Sequence, residues 1–237
     1  MWSIESTKEL GRIAVPPFVP PGSSLFCTTL DFDGRLSEER ANLLTGVIRA
    51  RSGIESVLAT CTQVHGVTVY RALRDEKWRE CDSCDALWAD ERNVSLAIKI
   101  ADCLPVSLID PTHAVIANVH SGWRGAVQGI TAATVDAVSS QTAFEPRSSF
   151  AYLGPSIRVC CFEVGEEVAT QFDGRYVDRT YPKPHVDLVA FTTDILRDRG
   201  FDRISDSELC TRCDGSVFHS YRREGKGGGR NLQIVTM

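Results

Sequence analysis

A cysteine and a histidine, Cys103 and His120, stand at the two ends of a strand–turn–strand pattern in residues 101–125, ADCLPVSLIDPTHAVIANVHSGWRG. Thiolate and imidazole are ready zinc ligands, and together they also make a nucleophile–base pair. The runs PVSLID (105–110) and AVIANV (114–119) are short, apolar and rich in β-formers, with the turn signal DPTH between them. An antiparallel hairpin brings its open ends together, so the Cys103 thiol and the His120 imidazole are expected to meet at one sheet edge. A third candidate is His65 in TQVHG, which also follows an apolar run (SVLATCTQV) and precedes a glycine. Three protein ligands plus a water is the open arrangement of catalytic zinc. Long intervals separate the three residues, so no local motif announces a metal site. Two other readings stay open on the residues alone. One makes Cys103 a nucleophile with His120 as its base; the other makes them a packed core cysteine and ordinary polar histidines. The two chemistries exclude each other, because a zinc-bound thiolate is a poorer nucleophile than a free one.

Other residue types invite the same question. Two CxxC pairs occur, Cys81-Asp82-Ser83-Cys84 and Cys210-Thr211-Arg212-Cys213, and together they could make a tetracysteine zinc site. Their separation is far beyond knuckle spacing, so two thiol-bearing surface loops are the plainer expectation. The vicinal Cys160-Cys161 read as packing residues. HSGWRG sets Arg124 beside His120, with Gly122 and Gly125 allowing close backbone approach; Arg124 suits a phosphate or carboxylate, or else a surface ion pair. FHSYRREGKGGGR carries Arg222, Arg223 and Arg230 around a glycine run. It is no P-loop, since neither Ser nor Thr follows Lys226, and it reads as a flexible tip or an anion-binding edge. The zinc deaminase signature is absent: none of the histidines has Glu two places on.

The elements that must position these groups follow from patterning. The chain has 237 residues, 43% of them hydrophobic, enough for one sizeable core. A formal net charge of −5 argues against a general nucleic-acid binder. Nine cysteines accompany a start, MWSIESTKELGRIAVPPFVPPG, that lacks the pattern of a secretory signal. No run approaches membrane-spanning length, so a reduced, cytoplasmic protein is expected. Residues 1–24 read as an arm stiffened by PPFVPPG, and 25–237 as one domain. Strands are expected at 25–29, 56–63, 67–71, 85–89, 95–100, 149–154, 216–222 and 230–235, besides the central hairpin. Helices are expected at 37–51, capped by Ser37, at 125–140, at 165–172, and at 187–199, opening on Asp187. Many short strands with several helices and no strict βαβ alternation indicate an α+β fold.

Six segments in this order carry a resemblance: TQVHG, IADCLPVSLID, VHSGWRG, LGPSIRVCCFEVGEEV, DLVAFTTDIL and CTRC…FHSYRREG…GRN. From about residue 25 onward the chain resembles the laccase-domain family, whose members are known as multicopper polyphenol oxidases and as zinc-dependent purine nucleoside phosphorylases. The resemblance implies a mixed β-sandwich flanked by helices (α/β/β/α), with His65, Cys103 and His120 as zinc ligands. It implies phosphorolysis of adenosine, inosine and methylthioadenosine, with adenosine deamination in some members, by a monomer or weak homodimer. Copper is the less fitting metal, because one three-ligand site is identified and phenol oxidation needs several copper centres. Arg124, Arg222, Arg223 and Gln63 are the expected phosphate and substrate contacts. Asp102 and Glu163 are candidate acids for the departing purine. Two positions depart from the family pattern. Leu30 stands where an arginine is usual, with Arg35 five places on, and His219 stands where an aromatic is usual. The competing functions are a Cys103–His120 amide hydrolase editing peptidoglycan precursors, a copper-dependent phenol oxidase, and a nucleoside-binding protein with weakened turnover.

Overall fold

The structure, a computed structural model, describes residues 1–74 and 78–237. In chain order the strands are β1 (Ser3–Thr7), β2 (Gly11–Val15), β3 (Ser24–Thr28), β4 (Val57–Cys61), β5 (Val69–Arg71), β6 (Trp78–Cys81), β7 (Ala86–Ala89) and β8 (Val94–Ile100). They continue with β9 (Leu104–Asp110), β10 (Val115–Ser121), β11 (Phe150–Leu153), β12 (Val177–Asp178), β13 (His185–Val186), β14 (Arg203–Asp206) and β15 (Asn231–Thr236). Among the described residues one sheet has the order β1-β2-β3-β15-β8-β4-β6 and a second the order β14-β11-β9-β10-β7-β5. Both mix parallel and antiparallel pairs.

Side-chain alternation assigns the layers. On β9 and β10, Val106, Leu108, Ala117 and Val119 enter the outer core, which they share with the helices α3 (Ile130–Gln141) and α5 (Leu188–Asp198). Ile109 and Ile116 point the other way, against Leu96, Ile98 and Val235 of the first sheet. The far face of the first sheet is covered by α1 (Glu38–Ser52) through Leu44, Val47 and Ile48. The result is four layers, α/β/β/α, as expected. It also explains why the central strands are continuous apolar runs: both their faces are buried. Several polar groups between the sheets bond to one another. Asn118 donates to the carbonyls of Leu96 and Gln233, each at 2.9 Å, and Ser107 donates to Asn118. These bonds lock the registry of the two sheets two residues before His120.

The central hairpin forms as read. His120 pairs with Pro105 and Ser121 with Leu104, and the Asp110 carboxylate closes the turn by accepting the N–H groups of Thr112 and His113. Four expectations are corrected. Residues 1–24 are not merely an arm: β1 and β2 form a hairpin that joins β3, because Ile13, Ala14 and Val15 are buried there while the prolines follow the strands. The helix at 125–140 is two helices, α2 (Trp123–Val127) and α3, divided at Gly129, whose φ of 88° lies in the left-handed region. Residues 216–222 are not a strand; Ser220 accepts the Arg223 N–H and caps the single turn α6 (Tyr221–Glu224). The helix at 165–172 shortens to α4 (Glu166–Ala169). No helix among the described residues is long and apolar enough to cross a membrane.

Candidate metal centre in a cationic cleft

The hairpin delivers Cys103, just before β9, and His120, at the end of β10, to one edge. The loop after β4 brings His65 beside them. One ligand atom from each of the three lies within 4.8 Å of the others, and the Cys103 Sγ to His65 Nε2 distance is 3.9 Å. The two imidazoles meet edge to face at a centroid distance of 4.8 Å. Donor types and spacing therefore fit one tetrahedral ion with an open fourth position.

The residue that organises this trio is Asp85, which sequence reasoning missed. It is fully buried immediately before β7. One carboxylate oxygen lies 2.8 Å from His120 Nδ1, which leaves Nε2 of that ring available as a ligand atom. The same carboxylate accepts the backbone N–H groups of Val64, His65 and Gly66 at 3.2, 2.9 and 2.7 Å. The Asp85 carbonyl accepts the His120 N–H at 2.7 Å. One side chain thus holds the His120 ring and the His65 backbone, and it stabilises His65 in the left-handed region at φ 62°. A backbone of this kind at a non-glycine residue costs about 1–3 kcal/mol and persists only where its surroundings impose it. The available signal was modest: a lone aspartate leading the apolar strand ALWA.

Electrostatics follow the geometry. Burial resists ionisation of Asp85, yet the His120 bond and the N–H groups of Gly66 and His65 outweigh it and hold the carboxyl below its usual range. Burial likewise pushes the Cys103 thiol up, but the His120 and His65 rings prevail and bring it down to about 6. Burial pulls His120 down, while Cys103 and Asp85 raise it to about 9. Without a metal the site is therefore a thiolate–imidazolium pair over a carboxylate. Gly122, the N-cap of α2, completes the enclosure: a Cβ there would lie 3.0 Å from Cys103 Sγ and 3.1 Å from His65 Cδ2. Gly122→Ala is expected to lower metal affinity by displacing these two ligands while leaving the fold intact, as read by zinc titration beside a melting curve.

The trio lines a cleft of about 770 Å³, within the size range of small-molecule sites. Among the described residues cations dominate its wall: Arg35, Lys99, Arg124, Arg222, Lys226 and Arg230, against the one carboxylate of Asp102. Trp123, Ile157, Phe162 and Tyr221 add apolar surface. Such a cleft attracts anions despite the chain's net negative charge. Arg124 stacks on Trp123 with its guanidinium carbon 4.3 Å from the ring centroid. Among the described residues no hydrogen bond or ion pair claims the Arg124 guanidinium, so the surface ion pair is not what this side chain makes. Arg222 reaches the carbonyl of Glu163 at 2.9 Å and lies over Phe162.

Other expected residues take different parts. Asp102 lines the cleft, but its oxygens accept Thr211 Oγ1 and the Arg222 N–H, each at 2.7 Å. It anchors the cleft wall and is not poised as a free acid. Gln63 spends its amide on both backbone groups of Lys99, at 2.7 and 2.9 Å, and offers the cleft only its flank. Glu163 lies outside the cleft lining and pairs with Lys183 at 2.8 Å, so it is not an acid beside a bound base. Arg223 also lies outside the lining; it donates to the carbonyls of Thr211, Arg212 and Phe218 and bonds Glu224. Its place is filled by Arg35, Lys226 and Arg230, of which Arg35 is held by Asp33 at 2.7 Å. Leu30 is half-buried off the cleft, whereas Arg35 lines it. His219 packs beneath Gly229 and bonds Glu224 at 3.0 Å, a local support for the segment carrying Arg230.

Comparison with known proteins agrees with this architecture. Residues 30–237 match the family model described as multi-copper polyphenol oxidoreductase laccase, and the chain belongs to that family. It is 32% identical over 207 residues to a purine nucleoside phosphorylase of Pseudomonas aeruginosa, covering 84% of this chain and 80% of that one. Adenosine deaminase RL5, from an unknown prokaryotic organism, is 34% identical over 174 residues, covering 69% of this chain and 66% of that protein. Mouse purine nucleoside phosphorylase LACC1 is 29% identical over 199 residues; the match spans 76% of this chain but only 46% of the mouse protein. Among solved structures, YfiH of Bacillus licheniformis superposes with a TM-score of 0.84 at 22% identity, covering 99% of this chain and 98% of that one. Protein NMB0706 of Neisseria meningitidis gives 0.80 at 25%, covering 95% and 98%.

Proposed function

We propose that this protein is a zinc-dependent purine nucleoside phosphorylase acting on adenosine, inosine and methylthioadenosine, with adenosine deamination as a side activity. The observation that carries the reading is the convergence of His65, Cys103 and His120 on a cleft whose wall carries Arg124 and Arg222 clear of any carboxylate ion pair among the described residues. The names of the P. aeruginosa and mouse relatives support phosphorolysis, and that of RL5 supports deamination. His65, Cys103 and His120 would hold the ion, with Asp85 fixing the imidazoles. When bound, zinc supplies a Lewis acid for an oxygen in the cleft and can lower the pKa of a bound water to about 7. Arg124, unclaimed by any carboxylate, clamps phosphate beside the anomeric carbon, and Arg222 and Arg35 close the anion site. Phosphate oxygen bonds to that carbon as the bond to the purine breaks, yielding free base and sugar 1-phosphate. Trp123, Phe162 and Tyr221 offer faces for the base. Among the described residues no carboxyl in the cleft is free to protonate the departing purine, so that proton comes from solvent. Nine free thiols suit a cytoplasmic setting, and the expected state is a monomer or weak homodimer.

A second reading has an observation of its own. Without metal, Cys103, His120 and Asp85 stand as a thiolate–imidazolium–carboxylate series, the arrangement of a cysteine hydrolase. Chelation separates the two. Phosphorolysis should vanish on zinc removal and return with zinc, whereas a hydrolase would survive chelation and fall to thiol alkylation. Within the first reading, Arg124→Ala should raise the KM for phosphate by about 10- to 100-fold, the worth of a charge-assisted contact, with the KM for adenosine little changed. An unchanged phosphate KM would remove Arg124 from the anion site.

A further inference from the structure

Four cysteines outside the cleft come together. β11 and β14 lie side by side in parallel, Phe150 to Leu153 opposite Arg203 to Asp206. The chains leaving them stay paired: Thr211 N–H donates to the Ser156 carbonyl at 3.0 Å and Ser156 N–H to that of Leu209 at 3.3 Å. Arg158 clamps Asp206 through two bonds of 2.6 Å. This pairing delivers Cys160 and Cys161 to Cys210 and Cys213, so the CxxC of the C-terminal segment finds the vicinal pair, not Cys81 and Cys84. The sulfurs of Cys161 and Cys213 are 3.3 Å apart, those of Cys160 and Cys213 3.7 Å, and those of Cys160 and Cys210 3.8 Å. All four lie within 4.8 Å of one another.

We propose that Cys160, Cys161, Cys210 and Cys213 form a second, structural zinc site. A tetrahedral ion with zinc–sulfur bonds of about 2.3 Å sets its sulfurs about 3.8 Å apart, close to the separations here. A disulfide would need about 2.05 Å. Packing alone does not account for the group, since Cys160 and Cys213 are exposed and bury little apolar surface by meeting. Four sulfurs with no open position define a closed site for a soft cation, its thiol protons released on binding. The ion would staple two segments that build the cleft. Ile157 and Phe162 line it from one, and Thr211 on the other holds Asp102 beside Cys103. The site would therefore support the catalytic cleft without touching its contents.

The test counts ions. Native mass spectrometry of the zinc-loaded chain should give two per molecule, and Cys103→Ala should keep one. Cobalt substituted into Cys103→Ala should show strong thiolate-to-metal charge transfer, which His65 and His120 alone cannot produce. Adding Cys210→Ser and Cys213→Ser to Cys103→Ala should abolish that band; should this variant fail to fold, the Cys103→Ala spectrum decides. In zinc-loaded protein the exposed Cys160 and Cys213 should resist iodoacetamide. A folded Cys103→Ala chain that binds no zinc, cobalt without the charge-transfer band, free alkylation of Cys160 and Cys213, or iron or copper at these sulfurs would overturn the assignment.

Discussion

Cys103→Ala is expected to abolish phosphorolysis and to empty the cleft's metal site while leaving the fold in place. The thiolate is the one anionic ligand of the three, and its removal leaves only two imidazoles, facing each other at 4.8 Å. Loss of a partner that merely positions a ligand costs 10- to 100-fold in metal affinity; loss of the charged ligand itself should cost more. Stability should change little, because Cys103 is only half-buried and stands outside the three cores. Zinc titration, turnover of adenosine with phosphate, and a melting curve on one preparation check all three. Full turnover in a variant whose cleft holds no zinc would overturn the metal-centred reading.

Asp85→Ala should produce the largest loss of stability of any substitution at the site. Three backbone N–H groups and one imidazole nitrogen would lose their acceptor in a fully buried position. Breaking such a buried charged cluster costs about 3–5 kcal/mol, which lowers Tm by about 2–4 °C per kcal/mol in a chain of this size. Asp85→Asn separates the structural from the positioning role. It keeps one oxygen for the His65 loop but loses the charge that orients His120. The amide variant should melt closer to wild type yet bind zinc about 10- to 100-fold more weakly. Wild-type zinc affinity in a folded Asp85→Asn chain would show that the carboxylate only braces the loop.

Legibility in the sequence followed the range of the interactions. The Cys103–His120 encounter could be read because a hairpin is local: two β-rich runs and an aspartate-led turn set the register without any other part of the chain. α1 could be read from Ser37 and the acidic residues behind it for the same reason. Asp85 could not, since its partners lie twenty residues upstream and thirty-five downstream, and an aspartate before a strand carries no pattern of its own. The pairing of Cys160-Cys161 with Cys210 and Cys213 depends on β11 and β14 lying in parallel, which no local motif announces. Arg223 was misplaced because two adjacent arginines on a one-turn helix point differently, and only packing decides which one meets the cleft. β1 and β2 were obscured by the prolines that follow them, although Ile13 and Val15 were already half of a buried strand face.

The most direct measurement of the central claim is product analysis of adenosine incubated with zinc-loaded protein, with and without phosphate. The account predicts adenine and ribose 1-phosphate, formed only when phosphate is present, with any inosine a minor product independent of phosphate. Adenosine unchanged under both conditions, or adenine and free ribose formed at the same rate without phosphate, would contradict it.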